Sequence, residues 1–412
     1  MSSANTIKHQ EKQNIIAATD ECVMCGLCLP HCPTYSITKN ESESPRGRIS
    51  LVRALYENKL EASDSIASHL DHCLTCMNCE HACPANVDYE KIIDAGRAIT
   101  RNQNKNLQQR LLLLILSKSN IRTFIKPFIT IFRIIGLHRL FPNLRAISLL
   151  PTTNNQLNIT DYKITELDNK QGNKPNIVII NSCAADLIND QTFNSAKLIL
   201  SKLGCNVIQQ KQTHCCGALH QHTGDLKTAT ALRNKLLKSI EIKDVDHIAS
   251  LASGCGAQMV RYPLLEGTPI ATQFSNKLID INELVLQQLV NNELGFNALS
   301  GKVYLHKPCS QQQLINDPNT VERLLQHIPN IEIIHFKDPL TCCGAGGVNT
   351  ITETKLADQL IENKIHEITS SPANYLVSSN IGCALHFQAQ LKRKNIHVKI
   401  CHPITLLAQQ VI

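Results

Sequence analysis

Eighteen of the 412 residues are cysteines, and their spacing carries the chemistry of the chain. Cys22, Cys25, Cys28 and Cys32, followed by Pro33, repeat as Cys73, Cys76, Cys79 and Cys83, followed by Pro84. Such C-x-x-C-x-x-C-x-x-x-C-P runs hold paired [4Fe–4S] clusters, the fourth cysteine of each run ligating the other run's cluster. The reason is geometric. Three thiolates on a tight loop grip three irons of a cubane, but the loop cannot curl far enough to supply the fourth. This reading gives Cys22, Cys25, Cys28 and Cys83 to one cluster, and Cys73, Cys76, Cys79 and Cys32 to a second. Structural zinc is the competing use of four thiols, but it is typically held by two CxxC pairs, not by two proline-closed four-cysteine runs.

A second set of thiols lies between Cys183 and Cys401. NIVIINSCAAD around Cys183 pairs with KVYLHKPCSQQ around Cys309, Cys215-Cys216-Gly217 with Cys342-Cys343-Gly344, and Cys255 with Cys383. The offsets of 126, 127 and 128 residues describe a duplicated domain. Each copy offers four thiols: Cys183, Cys215, Cys216 and Cys255, then Cys309, Cys342, Cys343 and Cys383. Adjacent cysteines cannot both face one small metal without strain, but they can reach two irons of a larger cluster. The glycine that follows permits a positive φ and close backbone approach. The expectation is an additional iron–sulfur cluster or redox site in one or both copies. The competing reading makes these thiols small buried hydrophobes, and repetition at matched positions argues against it. Cys205 and Cys401 have no counterpart and are expected to serve packing.

No G-x-G-x-x-G follows an expected strand, and no P-loop occurs. His214, His306 and His386 lie near the CCG-type motifs and read first as hydrogen-bonded structure, not as ligands or bases. With no flavin or nicotinamide site, the chain can pass single electrons but has no acceptor for a hydride. A partner must perform any two-electron step.

The elements that would position these thiols differ along the chain. Ser44 and Pro45 make an N-cap and first helical residue, with Ile49, Val52, Leu55 and Tyr56 at helical spacing. Residues 1–100 therefore read as a helical domain for two [4Fe–4S] clusters, and 101–170 as a basic, apolar linker. Residues 171–298 and 299–412 read as two repeated domains. Each runs strand, helix, strand, CCG turn, helix, strand: Ile177–Ile180, 191–203, Asn206–Gln209, 225–241 and His247–Leu251, then Val303–Leu305, 320–327, Ile331–Phe336, 352–368 and Tyr375–Ser378. That alternation implies an α/β layer with a mainly parallel sheet, whose ligands gather beyond the carboxyl ends of the strands. The fold class is thus α+β multidomain, a helical cluster domain followed by two α/β domains.

The net charge is +7, but residues 101–160 hold nine basic side chains and no acid, leaving −2 for the rest. Nothing in this balance points to nucleic acid. No apolar run is long enough to span a bilayer, and MSSANTIKHQEKQ has no secretory core. A cytoplasmic protein with reduced, metal-binding thiols is expected. Leu111–Leu116 and Phe124, Ile125, Phe128, Ile131, Phe132 and Ile135 make an apolar face, with Arg122, Lys126, Arg133 and Arg139 interspersed. Pro127, Gly136 and Pro142 cut it into short pieces. Three uses stand open for 101–150: a membrane surface, packing on the repeated domains, or docking of a partner.

Two CxxCxxCxxxCP runs, a PRGR segment between them and two CCG domains resemble the iron–sulfur subunit of glycolate oxidase. The nearest fragments are Cys28–Tyr35, Ser44–Ile49, His69–Cys76 and Ala252–Gly256. The resemblance covers nearly the whole chain and implies a subunit that relays electrons from flavin-bearing (FAD) partner subunits oxidising glycolate to glyoxylate toward the quinone pool. It also implies a peripheral place on the inner face of the cytoplasmic membrane. Related CCG proteins serve lactate oxidation, glycerol-3-phosphate oxidation and heterodisulfide reduction, so the substrate belongs to the partner. One departure stands out. Heterodisulfide-reductase-type CCG domains carry a further CxxC pair, whereas here Gln258 and His386 stand three residues after Cys255 and Cys383, and Ala252 and Asn380 three before. That favours a relay or structural role over a self-contained reductase.

Overall fold

Ser44 starts a helix as its sequence predicts: in extended conformation, its hydroxyl accepts the Gly47 N–H at 2.9 Å, and Pro45 fills the first helical position. The structure is a computed structural model that describes residues 2–101, 107–135, 174–188, 191–208, 210, 212–339 and 341–412. Two units divide it. The first holds Met1–Leu111 with Leu219–Thr230 and Gly344–Ile361, the second the remainder.

In the first unit, helices α1 (Ser2–Asp20), α2 (Pro33–Thr38), α3 (Pro45–Tyr56), α4 (Asp64–Asp71), α5 (Asn78–His81) and α6 (Tyr89–Thr100) surround the two cysteine runs. Ile49, Val52 and Leu55 of α3 recur at helical spacing and are buried with Leu70, Ile92 and Ile93. Cys73 and Cys79 belong to the same core. Helices α3 and α6 approach closely because Gly96 has no side chain, since a Cβ there would meet Val52 Cγ2 at 2.4 Å.

In the second unit, each repeated domain is a four-stranded, wholly parallel sheet. The first has the order β2–β1–β3–β4, from β1 (Asn176–Ile180), β2 (Asn206–Ile208), β3 (His247–Ser250) and β4 (Leu278–Asp280). The second repeats it as β6–β5–β7–β8, from β5 (Gly301–His306), β6 (Ile331–His335), β7 (Tyr375–Ser378) and β8 (Lys399–Cys401). The apolar runs Ile177–Ile180 of β1, Val303–Leu305 of β5 and Tyr375–Val377 of β7 lie in central strands, where helices cover both faces. The sheets share one core, in which Ile177, Ile199 and Leu284 of the first copy meet Val303, Leu324 and Leu407 of the second, with Cys205 and Cys401 among them. The copies also meet where Ser253 and Ser310 hydroxyls lie 2.8 Å apart, beside Cys255 and Cys309. Gly256 admits Leu314 there, since a Cβ would lie 2.2 Å from its Cδ2.

Two helices, α7 (Leu107–Ser117) and α8 (Ser119–Ile134), occupy the described part of the basic segment, and α8 runs through Pro127, which therefore does not divide it as expected. Arg122 on α8 is fully buried, so it is not part of a lipid-facing basic stripe. Its guanidinium donates to Asp186 at 2.9 Å and to the Thr213 carbonyl at 2.6 Å, and Lys126 also pairs with Asp186. This packs α8 onto the first repeated domain, while Phe124, Phe128, Ile131 and Ile135 stay exposed. Arg139, Gly136 and Pro142 lie outside the described residues, as does the side chain of Arg133.

Candidate iron–sulfur centres

The two N-terminal cysteine runs are related by an offset of 51 residues, and their backbones repeat at the same offset. Met24 and Thr75 precede the middle cysteine of each run at φ +57 and +48, and Gly26 and Met77 follow it at +82 and +57. Left-handed backbone is costly for a non-glycine residue, above all a β-branched one such as Thr75. Such strain persists only where the surroundings over-determine it. Alternating turns of this kind form concavities lined by backbone N–H groups, the cradle found at many Fe–S sites.

Arginines brace both loops. Arg46 donates to the Met24 carbonyl at 3.0 Å, and its 51-residue counterpart Arg97 donates to the carbonyls of Leu70 and Cys73. Buried Arg48 pairs with Glu43 at 2.6 Å, donates to the His69 carbonyl at 2.7 Å and reaches the Cys32 sulfur at 4.0 Å. Glu43 takes His69 and His72 on its other oxygen, at 2.7 and 2.9 Å. Burial alone would raise the Glu43 carboxyl, but the His72 and His69 hydrogen bonds and Arg48 hold it below the usual range. His72, bonded to Glu353 and Glu43, is pushed up to about 9 despite its burial. Arg46 and Arg48 belong to the PRGR segment between the runs, and the 51-residue repeat that relates the cysteines also relates Arg46 to Arg97.

Cys22, Cys25, Cys28, Cys79 and Cys83 line one concavity. Cys79 lies among the thiols of Cys76, Cys73, Cys32 and Cys28. The Tyr89 hydroxyl points at the Cys73 sulfur from 3.6 Å. Burial, then the neighbouring thiols, push the Cys79 thiol well up, so an ionised thiolate there needs a cation. None of the eighteen cysteines is in a disulfide. The donor set, the left-handed loops and the buried thiols fit iron–sulfur clusters.

The repeated domains bring their thiols together at the carboxyl ends of the strands. In the first copy, Cys183 is hydrogen-bonded to Cys215, and Cys216 to Cys215 and Cys255. These bonds and burial raise Cys183 and Cys216, while the Arg122 guanidinium favours the Cys183 thiolate. Gln258, one helical turn after Cys255, is buried with neither amide atom hydrogen-bonded, and Tyr262 donates to the Cys216 carbonyl at 2.8 Å. In the second copy, Cys309 is hydrogen-bonded to Cys342, and Cys383 to Cys343. His306 presents a ring nitrogen within 4.8 Å of the Cys343 and Cys383 sulfurs. Burial, then the charge of Lys364, holds His306 down at about 3, so its ring is neutral and able to ligate. Lys364 is buried beside Cys343 and Cys342, donates to the Asp338 carbonyl at 2.8 Å and lies over the Phe336 ring. His386 bonds the Cys343 carbonyl at 2.8 Å, a structural use. Each four-thiol set thus has a buried cation beside it, Arg122 or Lys364, suited to an anionic cluster.

This fold and these thiols define an iron–sulfur protein. The family model described as "4Fe-4S dicluster domain" matches residues 18–87, and that described as "Cysteine-rich domain" (CCG) matches 177–260 and 303–388. One segment similar to a 4Fe-4S dicluster domain is thus followed by two similar to CCG domains. It is 29% identical to the glycolate oxidase iron–sulfur subunit of Escherichia coli (strain K12), over 89% of this chain and 88% of that one. It is 26% identical to the probable glycolate oxidase iron–sulfur subunit of Bacillus subtilis (strain 168), over 92% and 90%. Lactate utilization protein A of Geobacillus kaustophilus (strain HTA426) is 24% identical over 54% of this chain and 93% of its own.

Proposed function

We propose that this chain is the electron-transfer subunit of a glycolate oxidase complex, with eight N-terminal cysteines holding two [4Fe–4S] clusters by crossed ligation. Cys22, Cys25, Cys28 and Cys83 hold one, and Cys73, Cys76, Cys79 and Cys32 the other. The observation that carries the reading is the paired left-handed loops with their thiols, in a chain similar over nearly all its length to glycolate oxidase iron–sulfur subunits. Bound clusters supply one-electron transfer. The oxidation of glycolate to glyoxylate releases two electrons and two protons, which the flavin of a partner subunit accepts before the electrons leave singly toward quinone. In this chain Arg46, Arg48 and Arg97 hold the loops, and Arg122 and Lys364 balance negative charge in the repeated domains. The CCG thiols Cys183, Cys215, Cys216, Cys255, Cys309, Cys342, Cys343 and Cys383 are assigned to a further cluster in one or both copies. Among the described residues no helix is long and apolar enough to cross a membrane.

A second reading is favoured by the similarity to lactate utilization protein A: the same relay serving lactate. The native complex separates the two. Purified anaerobically and given glycolate, D-lactate or glycerol-3-phosphate in turn, it should bleach its visible cluster absorption with glycolate. Bleaching by D-lactate alone would replace the first reading with the second.

A further inference from the structure

Helix α6 carries Glu90 and Asp94 one turn apart, on one face and each only 4% exposed. Two carboxylates so placed repel each other. His222, which follows the first CCG turn and belongs to the same unit, brings its ring to them. One donor atom of each residue lies within 4.8 Å of the other two. The His222 Nδ1 to Asp94 Oδ1 separation is 3.6 Å, too long for a hydrogen bond. Neither atom has a hydrogen-bond partner, although both are buried. Two ligands of one tetrahedral ion with bonds of about 2.0–2.1 Å stand about 3.4 Å apart, close to the separation seen. The second carboxylate oxygen of Asp94 is fixed by the Gln221 amide at 2.9 Å, the kind of outer contact that orients a metal ligand.

We propose that Glu90, Asp94 and His222 bind a divalent metal ion of the Zn2+ type, separate from every cysteine cluster. One imidazole nitrogen and two carboxylate oxygens suit such an ion, whose double charge cancels that of the two carboxylates, and water completes the fourth position. The ion ties residues 219–230 to α6, within one unit. The second copy does the corresponding work without a metal. Asn349, 127 residues after His222, donates to the Asp71 carbonyl at 3.1 Å.

The test uses the full chain with its clusters intact, stripped of loosely bound metal and titrated with Zn2+ alone. Wild type should take up one Zn2+ per chain with its iron content and visible spectrum unchanged. X-ray absorption at the zinc edge should show only nitrogen and oxygen neighbours near 2.0–2.1 Å, with no sulfur near 2.3 Å. Asp94→Asn should weaken uptake at least ten-fold. His222→Gln, altering a side chain 21% exposed, should do the same and keeps the test open if the Asp94 variant folds poorly. Zinc with sulfur neighbours, uptake unchanged in both variants, or no uptake by wild type would each overturn the site; an ordinary His–Asp ion pair gives the last result.

Discussion

At the scale of the residue, Cys32 is the most informative thiol. It leaves the first run and lies beside Arg48, among the groups that face Cys73 and Cys79. Cys32→Ser should therefore disturb the cluster held by Cys73, Cys76 and Cys79 more than that held by Cys22, Cys25 and Cys28, as read by EPR of the reduced protein. Loss confined to the Cys22 run would overturn the crossed assignment. His72 makes a second prediction. Its ordinary value is 6.5 and its folded value about 9, so the folded state binds a proton the unfolded state releases between them. The stabilisation is complete below pH 6.5 and is lost as pH rises through about 9. Thermal midpoints of wild type should thus fall toward those of His72→Gln between about pH 7 and about pH 10. Parallel curves with a constant gap would show that the Glu43–His72–Glu353 network is not what titrates.

At the scale of the element, the junction of α3 and α6 depends on an absent side chain. Gly96→Ala places a methyl 2.4 Å from Val52 Cγ2 and 3.1 Å from Leu70 Cδ1, both fully buried, and should cost about 1–3 kcal/mol. Adding Val52→Ala opens space at that point, so the double variant should be more stable than the sum of the two single changes. Strict additivity in denaturant unfolding would mean that the helices do not meet as described. The loops between these helices carry a different burden. Thr75 and Met77 hold left-handed backbone that their types disfavour, while Gly26 meets the same demand with glycine. The strain is located where the fold curls three cysteines toward one point, and Arg46 and Arg97 fix the carbonyls on either side.

At the scale of the whole molecule, the chain carries thiols in two architectures, helical loops and parallel-sheet edges, and both suit one-electron chemistry. The isolated chain should show no glycolate-dependent dye reduction, and activity should return when the flavoprotein partner is added. Reduction by the pure, flavin-free chain would end the proposal of a relay subunit. The exposed Phe124, Phe128 and Ile131 of α8 sit on a helix anchored by Arg122 and Lys126 through Asp186.

Much of this was legible in the residues themselves. Proline-closed cysteine runs and the Ser44–Pro45 helix start depend on neighbours within a few positions, and local chemistry alone decides them; the repeat from Cys183 to Cys383 shows as matched motifs at a near-constant offset. Strands Ile177–Ile180 and Tyr375–Ser378 were legible for the same reason, because burial on both faces demands an unbroken apolar run. The strands Leu278–Asp280 and Lys399–Cys401 were not, since three residues carry no period and only their pairing with β3 and β7 makes them strands. Tertiary structure alone decided that Arg122 is an anchor, because nothing in a basic, apolar stretch announces that Asp186 will bury its charge. It alone set Lys364 and His306 beside the second CCG thiols, and His222 beside Glu90 and Asp94. These groups are brought together by folding across long stretches of chain, and a buried charge is defined by what surrounds it.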